Sequence, residues 1–347
     1  MRAMILAAGV GSRLDPLTRN LPKPLVPIVN RPVMEHIIEL LRKHGFTEIM
    51  VNLHYLGDQI ERHFGDGERL GVKIFWSRED QLWGDAGSVK RVEEFFHDET
   101  FIVVGGDDLA DIDLTSLVKT HRDNKALSTI ALSLVDDPSE YGIVLTNEEG
   151  RITRFVEKPK GEVIFSNQAN TGVYVFEPEI FDLIPKNTFY LFGKQFFPLM
   201  LEQKRPLYGH LTSSYWKDVG NLEIYRQTHI DALAGKVSIK FPMAEARKYV
   251  WIGKNTQIDP SAEIGYPVAI GDDCRVDAGA KVLENTVIGN GCAVERGVVV
   301  KESILWDGAI VQRDTWLERC VIGRGCHVKT NAAIFDGVIV EPLRKDA

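Results

Sequence analysis

The sequence is poor in cysteine and has no long hydrophobic run. Its four cysteines include no close CxxC pair, so their spacing does not predict a zinc site. No apolar segment approaches the roughly 20 residues that a membrane-spanning helix needs. The apolar start, Met1–Ala8, is followed at once by glycines and Arg13, so we expect no signal peptide. These absences predict a soluble, cytoplasmic protein without structural disulfides.

Basic residues are also fewer than acidic ones. The 41 Lys and Arg against 49 Asp and Glu give a formal net charge of −8, which argues against a general nucleic-acid or membrane-surface binder. Hydrophobic residues make up 44% of the 347 residues, which is too many for an intrinsically disordered chain. A chain of this length favours two domains, at about 150 residues per domain.

The first 235 residues alternate short apolar runs with longer amphipathic stretches, which indicates strands alternating with helices. The predicted strands are Ala3–Ala8, Glu48–Leu53, Val72–Trp76, Phe101–Val104 and Ser128–Leu134, and the predicted helices are Val33–His44, Asp58–Phe64 and Ile224–Leu233. Such alternation is typical of a mostly parallel sheet with helices on both faces. We therefore predict an α/β, Rossmann-like domain over residues 1–235.

A different pattern begins near residue 250, where branched aliphatic residues recur every six positions. The series comprises Ile252, Ile258, Ile264, Ile270, Val276, Val282, Ile288, Val294 and Val300, then shifts by four residues and continues at Ile304, Ile310, Trp316, Ile322, Val328, Ile334 and Val340. This repeat resembles that of left-handed hexapeptide β-helices, in which each hexad forms one face of a triangular coil. We predict such a parallel β-helix over residues 250–347, joined by a linker over residues 236–249.

The cysteines fall on one position of this repeat. Small side chains tend to follow the aliphatic position by four residues, and the cysteines all stand there: Cys274, Cys292, Cys320 and Cys326. Because Cys274 and Cys292 are one predicted coil apart, they should stack on each other. We expect all four to be free thiols that pack as small hydrophobic side chains.

The residues best suited to chemistry follow the first predicted strand. Gly9 and Gly11 would let backbone N–H groups approach a phosphate closely. The segment has neither the third glycine of the dinucleotide fingerprint nor the Gly-Lys-Ser/Thr of a P-loop. Four prolines then prevent a regular helix: Pro16, Pro22, Pro24 and Pro27. This stiff segment carries three cations, Arg13, Arg19 and Lys23, and so indicates an anion-binding loop.

The same segment carries a family resemblance. Residues 6–25 match the pattern L-A-A-G-x-G-[ST]-R-L-x-P-L-T-x-x-x-P-K-P-L at every fixed position. Shorter matches follow in order: V-G-G-D at 104–107, Y-G at 141–142, F-V-E-K-P at 155–159, N-T-G-V-Y at 170–174 and W-K-D-V-G at 216–220. The chain therefore resembles the sugar-1-phosphate nucleotidyltransferases, also called nucleoside-diphosphate-sugar pyrophosphorylases. The resemblance covers about residues 3–235, and an appended β-helix is common in that family.

This resemblance implies roles for particular residues. Arg13 and Lys23 are implied to be catalytic, because they would neutralise the leaving pyrophosphate and the triphosphate. The implied nucleotide-binding residues are Ala8, Gly9, Gly11, Ser12, Gly84 and Asp85. The implied sugar-phosphate-binding residues are Gly142, Glu157, Lys158 and Asn170. Asp107 and Asp218 are implied to hold Mg²⁺, which prefers hard oxygen ligands.

One segment departs from the family pattern. Where many relatives have L-G-T-A-G beside the base, this chain has W-G-D-A-G over residues 83–87. Asp85 could accept hydrogen bonds from N1 and N2 of guanine, or Trp83 could stack on a base. The departure equally allows an altered or lost nucleotide site.

The implied reaction joins a hexose-1-phosphate to the α-phosphate of a nucleoside triphosphate and releases pyrophosphate. Residues 52–56 and 64–67 resemble the mannose-1-phosphate guanylyltransferase branch, so we expect mannose-1-phosphate, GTP and Mg²⁺. Uridylyl, thymidylyl or adenylyl transfer to glucose-1-phosphate stays open, as does a non-catalytic regulatory homologue. An acyltransferase built on the β-helix would need His327, which the repeat places outward. We expect a homo-oligomer with no nucleic-acid or membrane partner.

Overall fold

The computed structural model describes residues 1–159 and 164–341. These residues form two compact units, of which the first comprises residues 1–10 and 37–218. The second comprises residues 11–36 together with the described residues from 219 onward. The domain boundaries given above stay a prediction. Within the described residues, no helix has both the length and the apolar character needed to cross a lipid bilayer.

The strands of the region before residue 235 are short and mostly buried. They are β1 (Ala3–Leu6), β2 (Pro27–Ile28), β3 (Arg31–Pro32), β4 (Glu48–Leu53), β5 (Lys73–Arg78), β6 (Phe101–Gly105), β7 (Asp108–Ala110), β8 (Ser128–Leu134), β9 (Gly142–Thr146), β10 (Ile152–Glu157), β11 (Gln168–Phe176), β12 (Leu207–Leu211) and β13 (Trp216–Asp218). Every strand predicted from the apolar runs is present.

The main sheet of the first unit has the strand order β10-β9-β11-β6-β1-β4-β5, and β8 pairs with both β11 and β12. Strands β6, β1, β4 and β5 run parallel, so the predicted α/β, Rossmann-like fold class is confirmed. The antiparallel strands were not predicted: β11 runs antiparallel to β6, β8 and β9, and β10 to β9. The short turn 147–151 explains why β9 and β10 are antiparallel, because parallel strands need a much longer crossover connection.

The helices are α1 (Val33–Lys43), α2 (Gly57–Phe64), α3 (Asp85–Arg91), α4 (Glu93–Phe96), α5 (Leu114–Asp123), α6 (Phe197–Glu202) and α7 (Leu222–Leu233). The predicted helices Val33–His44, Asp58–Phe64 and Ile224–Leu233 are confirmed. Side chains cap two of the helices. The carboxylate of Asp113 accepts hydrogen bonds at the start of α5, and the amide oxygen of Asn221 does so at the start of α7.

The core of the first unit is rich in phenylalanine. Phe101 stacks on Phe96 and on Phe181, while Phe176 stacks on Phe192. All five rings are buried. The π-helical turn Phe192–Phe196 continues directly into α6, so aromatic packing fixes this part of the chain.

The second unit contains the predicted β-helix. Its strands are β14 (Ala244–Arg247), β15 (Val250–Ile252), β16 (Gln257–Ile258), β17 (Glu263–Ile264), β18 (Val268–Ile270), β19 (Arg275–Val276), β20 (Lys281–Val282), β21 (Thr286–Ile288), β22 (Ala293–Val294), β23 (Val299–Lys301), β24 (Ile304–Leu305), β25 (Ile310–Val311), β26 (Trp316–Glu318), β27 (Val321–Ile322), β28 (His327–Val328), β29 (Ala333–Phe335) and β30 (Val338–Ile339). From β15 onward, every third strand pairs in parallel, which gives three stacked sheets. Val268 lies opposite Thr286, whereas Val287 lies opposite Ile304, so the coil shortens from 18 residues (286 minus 268) to 17 (304 minus 287).

The repeat prediction is wrong where the coil shortens. The inward positions there are Leu305, Val311 and Leu317, which belong to the buried core of the β-helix. They replace the predicted Ile304, Ile310 and Trp316, and Trp316 is 47% exposed. Ile339, which pairs with Ile322 and packs against the core, likewise replaces the predicted Val340. Each pair of neighbours is apolar, and neighbouring residues of a strand point to opposite faces. Spacing alone therefore cannot choose between them, whereas Ile322 and Val328 are confirmed as inward.

The four cysteines are buried and His327 is exposed, as the repeat predicts. All four cysteines are free and buried. Cys274 and Cys292 stand in successive coils, since β19 pairs with β22. His327 is exposed, as the repeat predicts, and does not face the coil interior.

Candidate active site

The first strand ends in a buried chain of polar groups. The backbone N–H of Ala7, just after β1, donates to Oδ1 of Asn52 at 2.8 Å. Nδ2 of Asn52 donates in turn to Oε1 of Glu79 at 3.0 Å. Asn52 and Glu79 are 2% and 7% exposed, and among the described residues Oε2 of Glu79 has no hydrogen-bond partner. Since β1, β4 and β5 are parallel, their carboxyl ends meet at the edge where such folds bind ligands.

The glycine-rich loop follows and enters the second unit at Gly11. Gly11 has a φ of +69°, which lets the chain turn before the short 3₁₀ helix Ser12–Leu14. The hydroxyl of Thr18 donates to the Gly11 carbonyl at 2.9 Å. A Cβ on Gly11 would lie 3.0 Å from Cβ of Lys23, so this glycine packs directly against the lysine. Ala8 is buried, whereas Gly9 and Ser12 are exposed.

The three cations of this loop have different surroundings. Arg13 is exposed, whereas Lys23 is buried with only 6% of its surface exposed. Arg19 forms a two-pronged ion pair with Asp15, with both N···O distances at 2.7 Å. Arg19 is therefore held by a neighbouring acid four residues away, which the sequence pattern alone did not reveal.

The two implied metal carboxylates lie at a small separate sheet. Asp107 lies between β6 and β7, and Asp218 is the last residue of β13. Strands β7 and β13 are antiparallel, with Asp218 directly opposite Asp108 and hence next in register to Asp107. The described residues hold no cluster of three or more His, Cys, Asp or Glu side chains that could bind a metal. The arrangement is thus a pair of half-buried carboxylates, one just before β7 and one at the end of its partner strand β13.

A cleft of about 630 Å³ opens beside this small sheet. Its lining includes Tyr141, Thr212 and Trp216, and the two aromatic rings meet edge to face at 5.2 Å. Tyr141 directly precedes Gly142. Trp216, which stands two residues before Asp218 in β13, pairs with Ala110. The cleft therefore borders both the implied sugar segment and the implied metal segment.

Three of the four implied sugar-phosphate residues come together around Glu157. A Cβ on Gly142 would lie 2.7 Å from Oε2 of Glu157 and 3.4 Å from Cβ of Asn170. Gly193 faces the same carboxylate, and a Cβ there would collide with it. Burial raises the pKa of Glu157, while the charges of Lys158 and Lys194 act to lower it. Glu157 thus occupies a small chamber whose walls are partly glycine.

The side chain of Asn170 is fixed by its own strand. Its Nδ2 donates to the hydroxyl of Tyr174 at 2.9 Å, and its Oδ1 accepts from Gly172 N–H at 3.0 Å. The pairing of β11 with β8 shifts register between Asn170 and Tyr174, where Gly172 has a φ of +75°. Burial raises the pKa of Tyr174 well above its usual value, so this hydroxyl stays protonated.

The fourth implied residue, Lys158, is exposed and directly follows Glu157. It has a φ of +46°, and its backbone N–H donates to the Tyr141 carbonyl at 3.1 Å. A non-glycine residue in this conformation is uncommon. The backbone bond therefore ties the end of β10 to the residue before Gly142.

Asp85 has a structural contact that its sequence context did not predict. Its Oδ1 accepts hydrogen bonds from Ala86 N–H and Phe192 N–H, both at 2.7 Å. Burial raises the pKa of Asp85 from 3.8 to about 6, and the nearby charge of Glu157 adds to the shift. The carboxylate thus joins the start of α3 to the Phe192 turn, and this oxygen faces backbone.

Trp83 and Gly84 shape the chain just before Asp85. Gly84 has a φ of +75°, and a Cβ there would collide with the Tyr190 carbonyl, so only glycine fits. The guanidinium of Arg91 lies over the Trp83 ring at 4.7 Å from its centroid. The segment 83–87 therefore packs closely against residues 188–192, and the Arg91 contact covers one face of the indole.

Three residues of this region were not selected from the sequence. Asp108 could have been noticed as the second member of an acidic pair after a buried strand. Glu79 directly follows β5, and a polar residue at the end of a parallel strand is a recognisable signal. Gly193 carries no such signal, because only the folded structure brings it to Glu157.

Two protein families match the two regions of the chain. The family model "Nucleotidyl transferase" matches residues 2–234, and the model "EIF2B subunit epsilon LbH domain" matches residues 247–342. A UTP–glucose-1-phosphate uridylyltransferase of Synechocystis sp. is 42% identical over 269 residues, which are 74% of this chain and 69% of that protein. Mannose-1-phosphate guanyltransferase beta-B of Xenopus laevis is 35% identical over 271 residues, 76% of this chain and 73% of that protein.

A solved structure shows the same likeness. A crystal structure from Bacillus anthracis, described as a glucose-1-phosphate thymidylyltransferase in complex with a sucrose, has a TM-score of 0.60 at 26% identity. The match covers 69% of this chain and 97% of the Bacillus anthracis chain. By these matches, the chain belongs to the sugar-1-phosphate nucleotidyltransferases and carries a left-handed parallel β-helix after the nucleotidyltransferase region.

Proposed function

We propose that this chain is an active, Mg²⁺-dependent enzyme that joins a hexose-1-phosphate to GTP, with mannose-1-phosphate as the preferred sugar phosphate. The pairing of β7 with β13 supports the activity, because it brings Asp218 beside the Asp107–Asp108 pair. A regulatory homologue would have no need of this carboxylate pair together with Arg13 and Lys23.

The attacking group is an ionised phosphate oxygen of the sugar phosphate. It forms a bond to the α-phosphorus of the triphosphate, and the bond from that phosphorus to the bridging oxygen of the β-phosphate breaks. Pyrophosphate leaves with the electron pair, and no proton has to be removed. The barrier is electrostatic, because two polyanions meet and charge grows on the leaving group.

Asp107 and Asp218 fit a magnesium ion. Mg²⁺ commonly binds through one or two carboxylates together with substrate phosphates. These two half-buried carboxylates lie just before β7 and at the end of its partner strand β13. When bound, the ion would supply positive charge to the α-phosphate and the pyrophosphate. Arg13 would grip two phosphate oxygens of the leaving group, while Lys23 would add a single charge on the triphosphate.

The sugar phosphate would bind on the Glu157 side. The carboxylate of Glu157 accepts hydrogen bonds from sugar hydroxyls, and Asn170 is held in position by Tyr174 and Gly172. Lys158, beside Glu157, supplies a charge for the sugar phosphate. Gly142 and Gly193 leave the room that the Glu157 carboxylate occupies.

The choice of guanine rests on Glu79 rather than on Asp85. Glu79 is buried and linked through Asn52 to the backbone at Ala7, where the nucleotide loop begins, and its Oε2 has no partner among the described residues. Guanine offers two donors, N1–H and the N2 amino group, to a carboxylate. Uracil offers one N–H flanked by two carbonyl oxygens, which a carboxylate would repel. Asp85 has one oxygen bound to two backbone amides, which weakens its case.

A second candidate is glucose-1-phosphate uridylyl transfer. The 42% identity to the Synechocystis uridylyltransferase favours it. The deciding experiment measures pyrophosphate release for four nucleoside triphosphates against mannose-, glucose- and N-acetylglucosamine-1-phosphate, with Mg²⁺ and with EDTA. We expect the highest kcat/KM with GTP and mannose-1-phosphate. A maximum with UTP and glucose-1-phosphate would establish the second candidate, and no release in any combination would contradict both.

The carboxylate pair is tested by Asp107→Asn and Asp218→Asn. Each variant should lose at least about 100-fold in kcat and need more Mg²⁺ for half-maximal rate. Asp136→Asn, an exposed acid on the rim of the same cleft, is the matched control. Equal kcat values in all three variants would contradict the proposal that Asp107 and Asp218 bind the metal.

We also propose a cytoplasmic homo-oligomer that associates through the β-helix. Trp316 and Phe335 are 47% and 53% exposed, with ring centroids 6.1 Å apart on one face. Two large exposed aromatic rings side by side favour contact with another protein surface. Light scattering should give a multiple of the 39.0 kDa chain mass, and Trp316→Ser should lower it.

A further inference from the structure

Within the second unit, a buried set of hydrogen bonds converges on the carbonyl of Pro27. The hydroxyl of Tyr225, in α7, donates to this oxygen at 2.9 Å. Nε2 of His229, one helical turn later, lies 3.1 Å from the same oxygen. Tyr225 and His229 are 0% and 1% exposed. One carbonyl thus receives two side chains of the same helix face.

The protonation state of His229 follows from its partners. The backbone N–H of Val29 donates to Nδ1 at 3.5 Å, so Nδ1 is the acceptor and Nε2 carries the proton that Pro27 accepts. Burial lowers the pKa of His229 to about 3, so the ring is neutral. The single tautomer satisfies both bonds, and the chain from Pro27 to Val29 is held at both ends by one imidazole.

The β-helix joins this set through Trp306. The indole N–H of Trp306, just after β24, donates to the Tyr225 hydroxyl at 2.9 Å. Trp306 is 5% exposed. The hydroxyl of Tyr225 therefore accepts from the β-helix and donates to Pro27. A second bond runs from Nδ2 of Asn30 to the Ile288 carbonyl of β21, at 2.8 Å.

At its other end the set reaches the loop cation Lys23. Residues 23–25 form a 3₁₀ turn, in which Val26 N–H donates to the Lys23 carbonyl at 3.0 Å. Pro27 comes directly after Val26, which caps this turn. The side chain of Lys23 packs on Gly11, where a Cβ would lie 3.0 Å from it. A continuous path of bonded or packed groups thus leads from Trp306 through Tyr225 and Pro27 to Lys23.

We propose that Trp306 and Tyr225 are positioning residues for nucleotidyl transfer, by which the β-helix holds the turn that carries Lys23. This inference rests on the proposed function. Its physical basis is that a misplacement of about 1 Å in a charged group can cost on the order of 100-fold in rate. The β-helix is then a working part of the active site, and its removal would change the rate of the reaction.

The test uses the full chain with Trp306→Phe, Tyr225→Phe and the double variant. Trp306→Phe removes one N–H and keeps an aromatic ring. We expect each single variant to lower kcat by about 10-fold, with KM for the sugar phosphate within about twofold of wild type. Because Trp306 acts on the turn through its hydrogen bond to the Tyr225 hydroxyl, the double variant should be no slower than Tyr225→Phe. Trp251→Phe, a partly buried tryptophan of β15 outside the path, is the matched control and should keep the wild-type rate.

Amide hydrogen exchange gives a second readout that does not need activity. The backbone N–H groups of Leu25 and Val26, both bonded within the turn, should exchange faster in Trp306→Phe and Tyr225→Phe than in Trp251→Phe. Unchanged exchange and unchanged kcat in both variants would overturn the inference, as would multiplicative losses in the double variant. If wild type releases no pyrophosphate in any substrate combination, the proposed function fails, and exchange alone decides whether the path holds the turn.

Discussion

The carboxylate of Glu157 fills the space in front of Gly142. A Cβ on Gly142 would lie 2.7 Å from Oε2 of Glu157 and 2.8 Å from Cζ of Phe155, distances that real Cβ contacts do not show. Gly142→Ala must therefore displace Glu157, since the phenyl ring belongs to the packed core. We expect KM for the sugar phosphate to rise about 10-fold, with KM for the triphosphate little changed. Steady-state kinetics with each substrate varied in turn measures both, and an equal rise in the two constants would contradict the assignment of Glu157 to the sugar.

The loop offers a matched pair of arginines. Arg13→Ala should cut kcat by at least about 100-fold, because it removes a guanidinium from the growing charge of the pyrophosphate. Arg19→Ala should cost less than about fivefold, because Arg19 already forms an ion pair with Asp15 that is worth little at an exposed site. Pyrophosphate release measures kcat in both variants, and thermal unfolding checks that both fold. Near-normal activity of Arg13→Ala would remove Arg13 from the mechanism.

Glu79→Gln tests how the base is selected. The amide keeps the bond to Asn52 but replaces an acceptor by a donor at one position. We expect the ratio of kcat/KM for GTP to that for UTP to fall by about 10- to 100-fold, which corresponds to the cost of an unpaired polar group. Asp80→Asn, exposed and next in sequence, is the control and should keep the wild-type ratio. A ratio unchanged in Glu79→Gln would contradict the assignment of Glu79 to the base.

Asp85 predicts a dependence of stability on pH. Its pKa is about 6 in the folded protein against 3.8 as the ordinary value. The folded state thus holds the proton more tightly than the unfolded state, and stability from this group falls as pH rises from about 4 to about 6. Asp85→Asn keeps an oxygen acceptor for Ala86 and Phe192 but cannot ionise.

The free energy of unfolding of Asp85→Asn minus that of wild type should therefore increase over this pH range, by on the order of 2 kcal/mol. Urea unfolding at several pH values measures it. A difference that stays constant from about pH 4 to about pH 7 would show that burial does not raise the pKa of Asp85. Asp136→Asn, which replaces an exposed acid, serves as the control.

Local patterns predicted much of the fold. Three of its elements have a pattern that is visible within a short stretch of sequence: the apolar run of β1, the amphipathic stretch of α1 and the six-residue repeat of the β-helix. The repeat prediction failed at Ile304, Ile310, Trp316 and Val340, each of which stands beside an apolar neighbour that points inward instead. At those positions the register of strand pairing determines which of the two neighbours points inward, and the register cannot be predicted from the periodicity.

Long-range placements were harder to predict. The register that places Asp218 opposite Asp108, and so beside Asp107, joins residues far apart in sequence. Only the resemblance suggested that Asp107 and Asp218 act together. Nothing in the sequence around Gly193 indicates that it faces Glu157. The bond from Trp306 to Tyr225 depends on how a β-helix coil meets a helix, which no local periodicity describes.

The two glycines that face Glu157 also limit how the enzyme can change. Residues 142 and 193 already have the smallest side chain, so every substitution there narrows the chamber and none widens it. With the sugar bound at Glu157 as proposed, adaptation to a bulkier sugar would need a shorter side chain at position 157 or a shift of the backbone, whereas adaptation to a smaller sugar would be open to many single substitutions. Under this proposal, single substitutions at these two positions would change the preferred sugar towards smaller ones more readily than towards larger ones.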